Sequence, residues 1–316
     1  MFKPTKILCL TALLCLVISH ITSAQQDPQY TQYMYNTQIV NPAYAGSRGA
    51  LNIGILGRTQ WMNLEGAPET GTLSVNSPVG RYNDMGLGLS LVYDKIGPAT
   101  ESNLVMDWSY KIYLTNNTRL AFGLKAGLDM LNVDYSKLNI FEPDDPYFQV
   151  TIDNKIQPQL GSGLYVYSEK FYAGLSVPNF LNSKHFDENS LNNVDTENIA
   201  VERLHYFFIT GYVFNLNRNL KFKPTTLVKY VSGAPLQWDI AANFMFNEKF
   251  VLGASYRWSA SFSAMTGFQI SRGFFAGLAY DYQSTNIQQY SNGSFEAFLR
   301  LEIFNRSDRI LTPRFF

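Results

Sequence analysis

Hydrophobic positions alternate with small or polar ones over most of this chain. In Gly273–Gln283, one parity carries Phe274, Ala276, Leu278, Tyr280 and Tyr282, and the other Phe275, Gly277, Ala279, Asp281 and Gln283. Successive side chains of a strand point to opposite faces, so one face is greasy with aromatic ends and the other small or polar. The preceding stretch repeats this, with Phe250, Leu252, Ala254, Tyr256 and Trp258 on one face and Val251, Gly253, Ser255, Arg257 and Ser259 on the other. About ten residues suffice for a tilted strand to cross a bilayer. From Ala50 onward, alternation and turn punctuation predict about fourteen strands. They are Ala50–Trp61, Glu69–Val79, Asp84–Lys95, Ser102–Thr115, Thr118–Leu131, Lys155–Ser168, Lys170–Val177, Arg203–Leu216, Asn219–Ser232, Leu236–Asn247, Lys249–Ala260, Phe262–Ser271, Gly273–Gln283 and Gly293–Phe304. Single-chain bacterial barrels contain an even number.

The connections sort by length. Those after even-numbered strands are short: Gly80–Asn83, Asn116-Asn117, Glu169, Asn217-Arg218, Glu248 and Arg272. Those after odd-numbered strands tend to be longer: Met62–Pro68, Ile96–Glu101, Asn132–Asn154, Pro178–Glu202 and Ser284–Asn292. Outer-membrane barrels have short periplasmic turns and longer outer loops, whereas a soluble sandwich has no reason to sort loops by parity. The pattern therefore predicts an all-β, antiparallel outer-membrane barrel over residues 50–304, with both chain termini in the periplasm. The tail over residues 305–316 lies beyond the last strand.

Composition agrees. Charged residues make up 16% of the chain, against roughly 25% in soluble domains. Aromatics reach 15%, and the mean hydropathy is −0.11. Polar lumen residues diluting apolar lipid-facing ones produce this profile. The formal net charge is zero, so no basic excess speaks for nucleic acid. Residues 1–24 read as a secretory signal: Lys3 and Lys6 precede the apolar Ile7–Ile18, and Thr22-Ser23-Ala24 precedes a cut at Gln25. Cys9 and Cys15 fall inside that signal, so the mature chain is expected to have no disulfide or thiol chemistry.

Strand parity points Arg58, Asp94, Asp107, Lys111, Arg119, Lys125, Asp129, Lys221, Lys223, Lys229, Asp239, Arg257, Asp281, Glu296, Arg300 and Glu302 into the lumen. Charges inside a membrane structure pair or meet water. Because the signs are mixed, this set reads as a network holding the lumen closed or semi-closed, in preference to an ion-selective pore. Catalysis has little support: His185 and His205 are the histidines left after signal removal, and no nucleophile-elbow motif or Cys/His metal spacing occurs. No enzyme activity and no cofactor are expected. Gly86-Leu87-Gly88 and Gly161-Ser162-Gly163 sit on strands, where glycine relieves crowding and makes no phosphate loop. The two largest loops are acidic, with Glu142, Asp144, Asp145, Asp187, Glu188, Asp195 and Glu197. Clustered carboxylates suit calcium, but these lack calcium-loop spacing and read as solvated turns.

Residues 25–49 differ in character, being rich in Tyr, Gln and turn formers. Asp27-Pro28 reads as an N-cap and first helical residue, with Tyr30, Tyr33 and Thr37 at helical spacing. A short helix or plug-like segment against the periplasmic mouth is expected. Asp27-Pro28-Gln29-Tyr30, Tyr33-Met34 and Asn41-Pro42-Ala43-Tyr44-Ala45-Gly46, followed at the far end by Pro313-Arg314-Phe315-Phe316, resemble the opening and closing motifs of the PorP/SprF family. Those are outer-membrane proteins of the Bacteroidetes type IX secretion and gliding machinery, and the resemblance covers the mature chain.

The resemblance implies a non-enzymatic barrel that takes part in exporting or surface-anchoring a large secreted protein such as an adhesin. The implied partners are that cargo, periplasmic secretion-machinery proteins and outer-membrane lipid. It puts forward Asp27, Pro28, Tyr30, Tyr33, Asn41, Pro42, Tyr44, Gly46, Arg314, Phe315 and Phe316 for partner contact. The alternative is a passive porin or hydrophobic-solute transporter. The loop lengths predict that protease added to intact cells cuts within Asn132–Asn154 or Pro178–Glu202 and spares the Asn116-Asn117 turn. Cleavage at that turn, read from fragment sizes, would reverse the predicted orientation.

Overall fold

Each alternating strand has one face suited to lipid and one that is not, and closing the sheet separates the two. The computed structural model describes residues 28–134, 136, 152–181 and 204–304. The expected signal, Asp27, the acidic loop residues Glu142, Asp144, Asp145, Asp187, Glu188, Asp195 and Glu197, and the tail Asn305–Phe316 lie outside the described residues. The strands are β1 (Leu51–Thr59), β2 (Glu69–Val79), β3 (Met85–Ile96), β4 (Ala99–Tyr113), β5 (Arg119–Val133), β6 (Ile152–Tyr167), β7 (Phe171–Val177) and β8 (His205–Tyr212). They continue with β9 (Phe214–Asn215), β10 (Leu220–Val231), β11 (Gln237–Phe246), β12 (Phe250–Arg257), β13 (Ser261–Ser271), β14 (Phe274–Gln283) and β15 (Ser294–Ile303).

Every neighbouring pair is antiparallel, and β1 closes on β15 from Leu51 opposite Ile303 to Thr59 opposite Phe295. Closure leaves no sheet edge, so the main chain is satisfied without water, as hydrocarbon demands. Segments β8 and β9 keep one register against β10, with Gly211 opposite Thr225 and Phe214 opposite Phe222. They are one strand whose ladder lapses opposite Pro224, which has no N–H to give. The barrel therefore has fourteen strands.

The inward and outward faces follow the sequence parity. On β15, Ser294, Glu296, Phe298, Arg300 and Glu302 are buried inside, while Phe295, Ala297, Leu299, Leu301 and Ile303 face out. On β14, Phe275, Gly277, Ala279, Asp281 and Gln283 take the inner face. Aromatic side chains cluster outside near both strand ends, as in the Trp238–Trp258 and Tyr256–Phe262 pairs near one rim and the Phe222–Phe244 pair near the other. Such girdles mark the two interfaces of a membrane barrel.

Two expectations about rims change. The predicted loop Ile96–Glu101 is a tight hairpin: β3 runs to Ile96, which pairs with Ala99. Gly97 takes a φ of +54°, and Pro98 supplies the fixed φ of the next position, so two residues complete the turn. Similarly, residues 258–260 join β12 to β13 through Ser259 at φ +54°. The strand ends that flank the longest connections still share one end: those of β1 and β2, β5 and β6, β7 and β8, and β14 and β15. At the other end the connections are residues 80–84, 114–118, 168–170, 216–219, 247–249 and 272–273. We call these the long-loop end and the short-turn end. Arg119 and Lys221 sit at the short-turn rim and not in the closed lumen. Arg119 lies 4.8 Å from the centre of the Tyr113 ring, and Lys221 pairs with the exposed Glu248 at 2.6 Å.

Leu278 is central on the outer face of β14 and 59% exposed to the surroundings. Leu278→Arg is expected to destabilise the barrel by about 2–4 kcal/mol near the bilayer midplane. Reversible unfolding in lipid vesicles measures this; an unchanged unfolding free energy would show that β14 presents its other face to lipid.

Candidate functional site: a lumen filled from within

The lumen of a fourteen-strand barrel is wider than its own side chains fill, since about eight strands already leave an interior just filled by them. Here residues 28–50 occupy it. Tyr30–Gln38, Val40–Ser47 and Ala50 are all buried. The expected helix from Pro28 does not form. Thr31–Tyr35 make turns, a four-residue helix α1 spans Thr37–Val40, and a 3-10 turn spans Pro42–Tyr44. The reason lies in the hydrogen bonds: barrel side chains take up main-chain groups that a continuous helix would use. Asn41 caps the 3-10 turn by accepting from the Ala43 N–H at 3.0 Å, with Pro42 at its first position.

At the long-loop end, Arg58 on β1 donates to Asp281 on β14 at 2.6 Å and to Glu296 on β15 at 3.1 Å. Thr31 lies on this triad. Its hydroxyl donates to Asp281 at 2.7 Å, and its N–H and that of Gln32 both donate to Glu296 at 2.8 Å. Beside it, Arg257 donates to Asp239 at 2.6 Å, to the Gln29 amide oxygen at 2.7 Å and to the Tyr30 carbonyl at 3.3 Å. Tyr33 shares a 2.9 Å hydrogen bond with Thr225.

Midway down, the Gln38 amide donates to Ser90 at 3.0 Å and Asp107 at 3.1 Å, and accepts from Asn76 at 2.7 Å. Lys125 pairs with Asp107 at 3.5 Å and donates to the Ile39 carbonyl at 2.8 Å. Ser176 donates to the Val40 carbonyl at 2.7 Å. The Asn41 amide donates to the Leu164 carbonyl at 3.0 Å.

At the short-turn end, Ser109 and Lys111 donate to the carbonyls of Ala45 and Gly46 at 2.8 and 2.9 Å. The Gly46 N–H donates to Asn76 at 3.1 Å, and Arg48 pairs with Glu302. Charges without bulk water require such partners, and charge-assisted hydrogen bonds are the stronger kind.

Aromatic rings fill the remaining volume. Tyr35 stacks on Phe298 at a centroid distance of 5.5 Å and meets the tilted Phe275 ring at 5.0 Å, with Lys223 5.4 Å from its ring centre. Tyr44 meets Tyr165 edge-on at 5.7 Å.

The wall is also carved to fit. A methyl group at Gly86 would strike the Ala45 carbonyl, and one at Gly123 the backbone of Pro42 and Ala43. At Gly163 and Gly174 it would strike the Asn41 side chain, and at Gly88 that of Gln38. These inward glycines form a track under the segment.

The sequence of residues 22–301 matches the family described as "Type IX secretion system membrane protein PorP/SprF". The chain belongs to the PorP/SprF family. No curated protein matches it. Among solved structures, the Acinetobacter baumannii outer membrane protein Omp33 is 9% identical, with 81% of this chain and 100% of that one covered at a TM-score of 0.46. The CymD monoaromatic hydrocarbon channel is 11% identical, covering 87% and 94% at 0.49, and the KdgM porin 9% identical, covering 80% and 99% at 0.38.

In this PorP/SprF protein the motif residues of the opening segment thus come together inside the barrel. Tyr30, Tyr33, Asn41, Pro42, Tyr44 and Gly46 are all buried against strands, and Pro28 lines a cavity of about 90 Å³ with Tyr30, Lys125, His205 and Phe207. Arg314, Phe315 and Phe316, like Asp27, are outside the described residues. Thr31, Gln32, Tyr35, Gln38 and Arg48, which the sequence motifs do not single out, carry much of the contact. The signal for them was available in the lumen-facing parity of Gly86, Gly88 and Gly163. Bare glycines on an inner face mark a close approach of other backbone.

Gly123→Val is expected to destabilise the protein by about 1–3 kcal/mol through overpacking and to raise ion conductance in planar bilayers as the segment loosens. Gly71→Val, on the outer face with no heavy atom within 4 Å of an added Cβ, should leave both unchanged. Equal effects at the two sites would show that the segment does not bear on β5.

Proposed function

We propose that this PorP/SprF protein is a non-enzymatic outer-membrane barrel that takes part in the export or surface anchoring of a large secreted protein such as an adhesin. It serves as a closed platform, not a conduit, and works with periplasmic components of the type IX machinery. The observation that carries this reading is the lumen, filled by residues 28–50 and bonded to the wall at both ends. Family membership supplies the secretion context. A passive porin or hydrophobic-solute channel asks for an open path. The Arg58–Asp281–Glu296 triad at one end and the Arg48–Glu302 pair at the other tell against one.

The site residues take two roles in this proposal. Tyr30, Tyr33, Asn41, Pro42, Tyr44 and Gly46 set the shape of the platform from inside. Asp27 and Pro28 at one end, and Arg314, Phe315 and Phe316 in the tail, are left for partner contact. Tyr and Arg are among the residues that dominate interface energetics.

The test separates platform from pore. The purified protein should be silent in planar bilayers, and affinity capture from membranes should recover a secreted surface protein. Replacing Tyr33 and Tyr44 with Ala should open a conductance and reduce display of that cargo on intact cells, with barrel level in the outer membrane measured alongside. Steady conductance of the unaltered protein, with no cargo recovered, would favour the porin.

A further inference from the structure

The plug starts at the long-loop end and finishes at the short-turn end, the reverse of what a chain start on the short-turn side would require. Its contacts can be ordered by height. Gln29 and Tyr30 bond Arg257, the last residue of β12 before the connection at the long-loop end. Thr31 and Gln32 bond Asp281 and Glu296, near the same ends of β14 and β15. Gln38 bonds Ser90 and Asp107, in the middle of β3 and β4. Gly46 bonds Lys111, near the short-turn end of β4, and Arg48 bonds Glu302, one residue from the end of β15. Leu51 then starts β1 at the short-turn rim, opposite Ile303. Between these points Tyr35 reaches Phe275 and Lys223, near the short-turn ends of β14 and β10, and Ile39 and Val40 come back beside Pro28 and Tyr30 in one cavity, but the net course from Gln29 to Leu51 runs from the long-loop end to the short-turn end.

We infer that the chain preceding Pro28 leaves the barrel through the long-loop mouth. The start of the mature protein then lies on the opposite side of the membrane from the short turns. With the cut expected before Gln25, three residues precede Pro28. Fully extended they reach about 11 Å, whereas the nine residues of β1 rise roughly 30 Å. The chain start cannot return through the lumen, which residues 28–50 already fill. A partner on the long-loop side meets the free end of the plug directly. One on the short-turn side reaches the plug only through the stretch that joins it to β1. This placement is independent of the secretion role proposed above.

Single cysteines test it. The mature chain is expected to have no cysteine of its own, since Cys9 and Cys15 fall in the signal. Asp27→Cys reports the plug end, Ser284→Cys the long-loop side and Asn116→Cys a short turn. Each is treated with a membrane-impermeant maleimide on intact and on permeabilised cells, with labelling normalised to folded barrel. Asp27→Cys should label to the same extent as Ser284→Cys and differently from Asn116→Cys. If the barrel sits the other way up, Asn116→Cys labels on intact cells, and Asp27→Cys must still follow Ser284→Cys. The inference is overturned if Asp27→Cys follows Asn116→Cys, or if it reacts only after unfolding. Should Asp27→Cys assemble poorly, Gln26→Cys is read by the same criterion.

Discussion

Arg58 joins the two things this structure must accomplish at once. It sits on the first strand, directly opposite Glu296 on the last, so its pairing with Glu296 and Asp281 spans the seam where the sheet closes. Closure is obligatory, because an open edge in hydrocarbon strands a row of main-chain groups. The same carboxylates receive the N–H groups of Thr31 and Gln32 and the Thr31 hydroxyl. A buried guanidinium between two carboxylates leaves an excess negative charge and several unused lone pairs, and the plug's donors take up part of both. The seam and the plug are therefore one electrostatic unit. At the other end Glu302, also on β15, holds Arg48 of the plug. The last strand made is the one to which both ends of the plug are fastened.

The barrel was legible in the sequence because a period of two passes directly into three dimensions. Once Phe295, Leu299 and Leu301 face lipid, Glu296, Arg300 and Glu302 have no face left but the inner one. Height along the strand is a different matter. Arg119 and Lys221 have lumen-facing parity, yet they lie at the rim, where a long cation reaches water or an exposed partner at small cost. Parity fixes a side and says nothing of depth. The Gly97-Pro98 turn was missed for a related reason. A glycine and a proline between two strands punctuate a long loop as well as a hairpin, and the pairing of Ile96 with Ala99 decides which.

The plug was legible in kind but not in place. Its Tyr, Gln and Asn content and its Asn-Pro step set it apart from the strands. Nothing local in it says that Asn41 lies over Gly163 and Gly174, or Pro42 and Ala43 over Gly123. Those glycines belong to strands β6, β7 and β5, and they become a single track only after the sheet has curled and closed. The helix expected from Pro28 fails on the same ground. Local propensity favoured it weakly, while Arg257, Glu296, Lys125 and Ser176 offered the main chain partners that no sequence window around Tyr30 contains.

The composition of the plug follows from the lumen it fills. A wholly apolar segment would strand the wall's inward charges, since Arg58, Asp281, Glu296, Arg257, Asp107 and Lys111 would lose hydrogen-bonding partners in a space closed to bulk water. A segment of small polar residues would satisfy the charges and leave voids between the strands. Tyrosine does both, with a ring that fills volume and a hydroxyl that reaches a partner, as Tyr33 does against Thr225. Asn and Gln add amides that donate and accept at once, which suits Gln38 between Asp107 and Asn76. The residues that first look like a sticky, partner-seeking segment are, in this setting, what an interior needs when it is both wide and charged. In the platform role proposed above, partner contact is left to the parts that the interior does not engage.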